Sequence, residues 1–153
     1  MKTNFDFLPT SWDTLKELAI KAENNVYLDP RATLTELRLF AEGLTQGIFY
    51  FNNLSTLAHD MNQYERLNYL QNKAIIGDDV VNYLQLIRKK GNEVAHSNVR
   101  HFSSEEAMEM LHKGYVLANW FMLTYIDHDY QVKSFENPID DHQKEQALMF
   151  SMR

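Results

Sequence analysis

Apolar residues recur at three- and four-residue intervals along most of the chain, the spacing that draws a stripe down one face of an α-helix. Trp12, Leu15, Leu18, Ala19 and Ala22 form the first stripe, which Asn24-Asn25 ends. Thr10 with Asp13 three residues on resembles a capping pair, and Ser11 is an equal candidate for the cap. Asp29-Pro30 opens the second helix: an acceptor at the cap, then proline where its missing N–H costs nothing. Leu34, Leu37, Ala41, Leu44, Ile48 and Phe51 carry that helix to about Phe51. Gly43 and Gly47 lie one turn apart inside it. Each costs about 1 kcal/mol against alanine, so the pair predicts close helix packing or a bend. Asp60 followed by Gln63 predicts a third helix through Tyr64, Leu67 and Leu70. Gly77-Asp78-Asp79 predicts a turn and cap for a fourth, through Val80, Val81, Leu84, Ile87, Gly91 and Val94 or Ala95. Ser103 with Glu106 is the cleanest capping box, and the fifth helix it opens has the broadest apolar face, from Ala107 to Tyr125. That breadth predicts the fifth helix as the central element.

No convincing alternating strand pattern accompanies these helices, so the expected fold class is all-α, a five-helix bundle with short loops. After Asp127 the pattern fades into a polar stretch with Pro138 and a weakly helical Gln143 to Phe150. The expected organisation is a bundle over 1–127 and a partly ordered linker or tail over 128–153, leading to a further segment.

Composition changes the picture in three places. The chain has 153 residues, 44% hydrophobic and 24% charged, which suits one globular domain. The absence of cysteine excludes disulfides, thiolate metal sites and a cysteine nucleophile. No stretch approaches the apolar length of a membrane span and Met1 to Leu8 lack a signal-peptide core, so no membrane partner and a cytoplasmic location are expected. Fifteen Lys and Arg against 21 Asp and Glu leave a formal charge of −6. That field opposes a polyanion, so any contact with DNA or RNA must come through a local basic patch.

The one chemically loaded segment is Arg88-Lys89-Lys90-Gly91-Asn92-Glu93-Val94-Ala95-His96. If the helix runs through Gly91, then Arg88, Asn92 and His96 fall four residues apart on one face. Guanidinium can grip a phosphate there, amide can orient it, and imidazole titrates near neutrality. The alternative stays open that Asn92 and His96 only satisfy neighbouring backbone. Lys89 and Lys90 suit a solvated face as well as a phosphate clamp. His96, His101, His112 and Asp127-His128-Asp129 lack metal-ligand spacing, and Asp78-Asp79 and Asp140-Asp141 read as a cap and a loop. No P-loop or GxGxxG occurs, so no cofactor is expected. Arg31 and Arg38, seven residues apart with Glu36 and Glu42 nearby, read as ordinary surface charges.

The run from Leu84 to Ser97, with GNEVAH at its centre, resembles the signature of the DUF4145 family, a helical domain at the N-terminus of many type I restriction enzyme R subunits. Pro30 to Phe51, Ile76 to Asp79, Ser103 to Ala107, Ala118 to Tyr125 and Phe135 to Pro138 resemble its other parts, so the resemblance spans roughly Trp12 to Pro138. It implies a HEPN-like bundle, a group with many dimeric metal-independent ribonucleases whose motif is arginine, an adjacent polar residue, then histidine. Asn92 and His96 match that motif, whereas the arginine's place holds Gly91. The resemblance therefore implies a non-catalytic accessory domain of a restriction R subunit or related helicase-type defence protein. Its parent would be an ATP-dependent restriction endonuclease. Implied partners are other domains or subunits of a restriction complex, a second copy in a homodimer, and DNA or RNA at Arg88, Lys89, Lys90, Asn92 and His96. The alternative is a ribonuclease using His96, Asn92 and Arg88.

Overall fold

A computed structural model describes residues 2–98, 100–139 and 149, and every regular element among them is helical. A 3-10 turn, Thr10–Trp12, leads into α1 (Asp13–Asn25). Then come α2 (Pro30–Phe51), the single turn α3 (Ser55–Ala58), α4 (Gln63–Asn72), α5 (Asp78–His96) and α6 (Ser104–Phe121). A π-helical turn, Met122–Ile126, closes α6. The five helices expected from periodicity are all present. The sixth, α3, spans four residues, too few to show a period.

Local chemistry explains most boundaries. The Asp29 carboxylate accepts the Ala32 amide at 3.2 Å with Pro30 in the first turn, and Ser103 and Glu106 form the reciprocal capping box. Two starts differ from expectation. Neither Thr10 nor Ser11 caps α1: its N-cap is Trp12, without a side-chain cap, and the Trp12 ring packs edge-on against Phe121 at 5.4 Å. Packing, not a hydrogen bond, sets that entry. The cap of α4 is Asn62 with Glu65, not Asp60 with Gln63. Gln63 is instead buried and donates to Thr45 Oγ1 at 2.9 Å.

Two helices end in the same way. Asn53 adopts φ 59° after α2, with Leu54 N donating to Phe49 O and Asn53 N to Tyr50 O. Ala74 adopts φ 55° after α4, with Ile75 N donating to Leu70 O and Ala74 N to Gln71 O. Both are Schellman ends. Asparagine tolerates this left-handed conformation, whereas alanine is strained in it.

The centre of the bundle is α2, which packs on α1, α5 and α6 together, not α6 as its broad apolar face led us to expect. Leu34, Leu37, Phe40, Leu44, Ile48 and Phe49 of α2 are all buried. Thr33 and Thr45 are buried with them by donating to backbone carbonyls of Ala22 and Ala41. Gly47 fulfils the close-packing expectation, since a Cβ there would lie 2.7 Å from Phe121 Cζ; Gly43 does the same against Leu15.

Residues 127–139 lie over the bundle as an extended strap. Asn4 and Glu136 exchange hydrogen bonds, Asn4 Nδ2 to Glu136 O at 2.7 Å and Glu136 N to Asn4 Oδ1 at 2.8 Å. Tyr27 donates to Pro138 O at 2.8 Å and Tyr115 to Lys133 O. Phe135 sits against His112 and Tyr115. Buried Glu23 holds the other end of this joint, accepting from Thr3 Oγ1, Asn4 N and Asn4 Nδ2. The weak helix expected over Gln143 to Phe150 falls, Met149 apart, outside the described residues.

Candidate functional site: the α2–α5 seam

Helix α5 continues unbroken through Gly91, with Val81, Leu84, Ile87, Gly91 and Val94 buried. Four residues of α-helix overshoot a full turn by about 40°. The row Arg88, Asn92, His96 therefore drifts away from the core as it climbs. The burial follows: Arg88 and Asn92 are half-buried, and His96 is exposed at the last turn.

The basic triplet does not act as one patch. Arg88 turns to one flank, donating to Gln85 Oε1 at 2.7 Å and lying 5.2 Å from the Tyr64 ring centre on α4. Lys90 turns to the other, toward α6, and pairs with Glu106 at 2.9 Å and Glu93 at 3.9 Å. Lys89 points outward and is exposed. Arg100 joins the Lys90 group, reaching Glu106 at 2.6 Å and Glu93 at 3.5 Å. Glu106 thus takes the Ser103 backbone amide, Arg100 and Lys90 together, and these donors pull its carboxyl down to about 2.

The two arginines of α2 have larger roles than surface charges. Arg31 reaches the C-terminal end of α5, where carbonyls lack partners and the helix dipole is negative. Its guanidinium donates to Val94 O at 3.0 Å, Ser97 O at 2.7 Å and Arg100 O at 3.2 Å, and lies 5.2 Å from the centre of the buried Phe102 ring. Arg38 lies across Gly91: a Cβ at Gly91 would meet Arg38 Cβ and Cδ at 2.6 Å and Cγ at 2.9 Å. Arg38 Nε is buried with no hydrogen-bond partner. Neither arginine forms an ion pair with Glu36 or Glu42 among the described residues. Glu36 instead accepts Asn25 Nδ2 at 2.8 Å, and burial raises its carboxyl. Sequence spacing missed both roles. The available hint was Arg31 and Arg38 on one helical face, but their partners lie more than fifty residues away.

His112 and His128 are held by other partners. His112 packs on Phe135, and His128 meets Leu123 O at 2.6 Å. Among the described residues, no group of three or more His, Asp or Glu is placed to hold a metal ion. A separate cleft of about 690 Å³ opens beside Gly43 and Gly47, walled by Trp12, Tyr50, Phe51 and Phe121. Its one arginine, Arg66, spends Nε on Ala58 O.

Among the described residues the chain is an all-helical module in which Arg31 and Arg38 of α2 reach across to α5. No helix among the described residues is long and apolar enough to cross a membrane. Over 138 residues, 90% of its length, the chain is 30% identical to the type I restriction enzyme EcoKI endonuclease subunit of Escherichia coli strain K12. It spans 11% of that subunit. The chain is thus distantly related to a small region of a restriction-enzyme subunit. No family model matches it, and no solved structure does.

Proposed function

We propose that the chain is a non-catalytic helical accessory module of a type I restriction R subunit, or of a related helicase-type defence protein. It mediates assembly or nucleic-acid contact. The observation that carries this reading is the similarity to an endonuclease subunit over nine-tenths of this chain and only about a tenth of that protein. In this reading, residues 1–127 are the DUF4145-type, HEPN-like module, and 128–153 lead toward a further segment. The module works in the cytoplasm, alone or as a homodimer. The exposed end of α5, with Asn92 and His96 and flanked by Arg88 and Lys89, is its nucleic-acid face.

The second reading is a metal-independent ribonuclease using His96, Asn92 and Arg88. It draws support from the shared flank of Asn92 and His96 and the exposure of His96. The turn of Arg88 toward Gln85 and Tyr64 weighs against it, because the transition state needs a cation at the phosphate. The deciding experiment incubates wild type and His96→Ala with single-stranded RNA in EDTA. Equal background rates are expected. Cleavage by wild type that His96→Ala abolishes replaces the accessory reading with the ribonuclease.

A further inference from the structure

The cleft between the start of α1 and the end of α2 is used by neither reading above. Its volume of about 690 Å³ falls within the range of about 300–1,000 Å³ that small-molecule sites occupy. None of Arg88, Asn92 and His96 lines it. Its walls are largely aromatic. Trp12 and Phe51 stand edge-on to Phe121 at 5.4 and 5.9 Å, and Tyr50 stands edge-on to Phe51 at 5.2 Å. Tyr50 and Phe51 remain 66% and 41% exposed. Rings packed edge-on leave faces that can hold a flat apolar guest. Missing side chains at Gly43 and Gly47 let Leu15 and Phe121 settle against the α2 backbone, so packing sets both walls before any guest arrives.

Among the described residues, Arg66 is the one Lys or Arg that lines the cleft. It reaches in from α4, its Nε fixed by Ala58 O at 3.1 Å. No carboxylate among the described residues pairs with it. Its terminal nitrogens are not sealed as Arg38 Nε is, so a ligand entering the cleft can meet them. Asp13 lines the cleft from α1 and is exposed, whereas Arg66 is half-buried. Solvent therefore screens the carboxylate more than the guanidinium, and the balance favours a guest with one negative charge. A doubly charged phosphomonoester would have one cation to meet and Asp13 to avoid.

We infer that this cleft is a small-molecule site for a planar aromatic carboxylate. The ring lies among Trp12, Tyr50, Phe51 and Phe121, and the carboxylate meets Arg66. The terminal edge of a guanidinium matches two carboxylate oxygens. The site uses α1, α2 and α4 and none of the α5 motif, so it stands whether or not the chain contacts nucleic acid.

The test titrates the full chain, followed by amide NMR, with three guests that share one ring system: β-naphthoate, the neutral β-naphthamide and β-naphthyl phosphate. Naphthoate should shift the Gly43 and Gly47 amides and the Trp12 indole N–H. It should bind about tenfold tighter than naphthamide, the worth of one charge-assisted pair. Arg66→Gln should bring naphthoate down to the affinity of naphthamide and leave naphthamide binding unchanged, a split that a merely structural role for Arg66 does not produce. Asp13→Asn should tighten naphthoate by about twofold. Should Arg66→Gln unfold the chain, the wild-type ratio of naphthoate to naphthamide affinity decides alone. Equal affinity for those two overturns the carboxylate assignment, and so does tighter binding of naphthyl phosphate. Shifts confined to α5, or none at millimolar probe, overturn the site.

Discussion

Removing the Arg31 guanidinium tests how the polar end of α5 is held. Arg31→Ala takes charged donors away from Val94 O, Ser97 O and Arg100 O and a cation from beside Phe102. A hydrogen bond to a charged group is worth about 1.5–3 kcal/mol, and a cation at a helix C-terminus about 0.3–1 kcal/mol. One guanidinium makes all these contacts, so they do not add, and water replaces part of what the Ser97 and Arg100 carbonyls lose. The expected cost is about 2–4 kcal/mol. At this chain length each kcal/mol moves the melting midpoint by about 2–4 °C, so a fall on the order of 10 °C follows. Urea and thermal unfolding followed by far-UV circular dichroism measure the cost. Amide hydrogen exchange should locate it in the last turn of α5 and the segment to Phe102, with α1 unaffected. Arg31→Lys should recover little, because one ammonium cannot span the three carbonyls at the geometry of the fork. A loss below about 0.5 kcal/mol, the level of an ordinary surface change, refutes the reasoning, and so does full rescue by lysine.

Gly91→Ala gains about 1 kcal/mol of helix propensity but drives a methyl into the Arg38 stem, an overpacking that costs about 1–3 kcal/mol. Gly114→Ala, whose nearest foreign atom is Leu37 Cδ2 at 3.1 Å, should be more stable than Gly91→Ala by urea titration; equal stabilities contradict the close approach. Ala74→Gly should stabilise by about 0.5–1 kcal/mol, because glycine carries no penalty at φ 55°, and a lower melting midpoint overturns that. Glu106 is ionised more readily in the folded state than unfolded. Its stabilisation is complete above the ordinary value of 4.5 and is withdrawn as pH falls toward about 2. Side-chain carboxyl NMR should place its midpoint near the lower value, and Arg100→Ala should raise it; a midpoint at 4.5 contradicts the triple donation.

The sequence made the helices legible because their evidence is local. Asp29-Pro30 and Ser103 with Glu106 state their starts within four residues, and α5 shows its buried stripe without help from elsewhere. Two other starts misled for physical reasons. Trp12 is placed by Phe121, over a hundred residues away, and Gln63 is drawn inward by Thr45, leaving the cap to Asn62. The seam was half legible. Spacing put Arg88, Asn92 and His96 on one drifting row, and the helix follows it. The part supplied by α2 was hidden, because an arginine that caps a distant helix and one that packs on a distant glycine look alike in a linear chain. Nothing local distinguishes either from a solvated charge beside Glu36 or Glu42.

The reciprocal hydrogen bonds between Asn4 and Glu136 bear on how the chain can be rewired. They hold the Asn4 side-chain amide against the Glu136 backbone, 132 residues along the chain. A few glycines joining this pair would close the bundle into a ring. The ring could then be cut between α3 and α4, around Asp60, without severing a long helix. Such a circular permutant should fold to the same packing, with its free ends carried to the opposite end of α2.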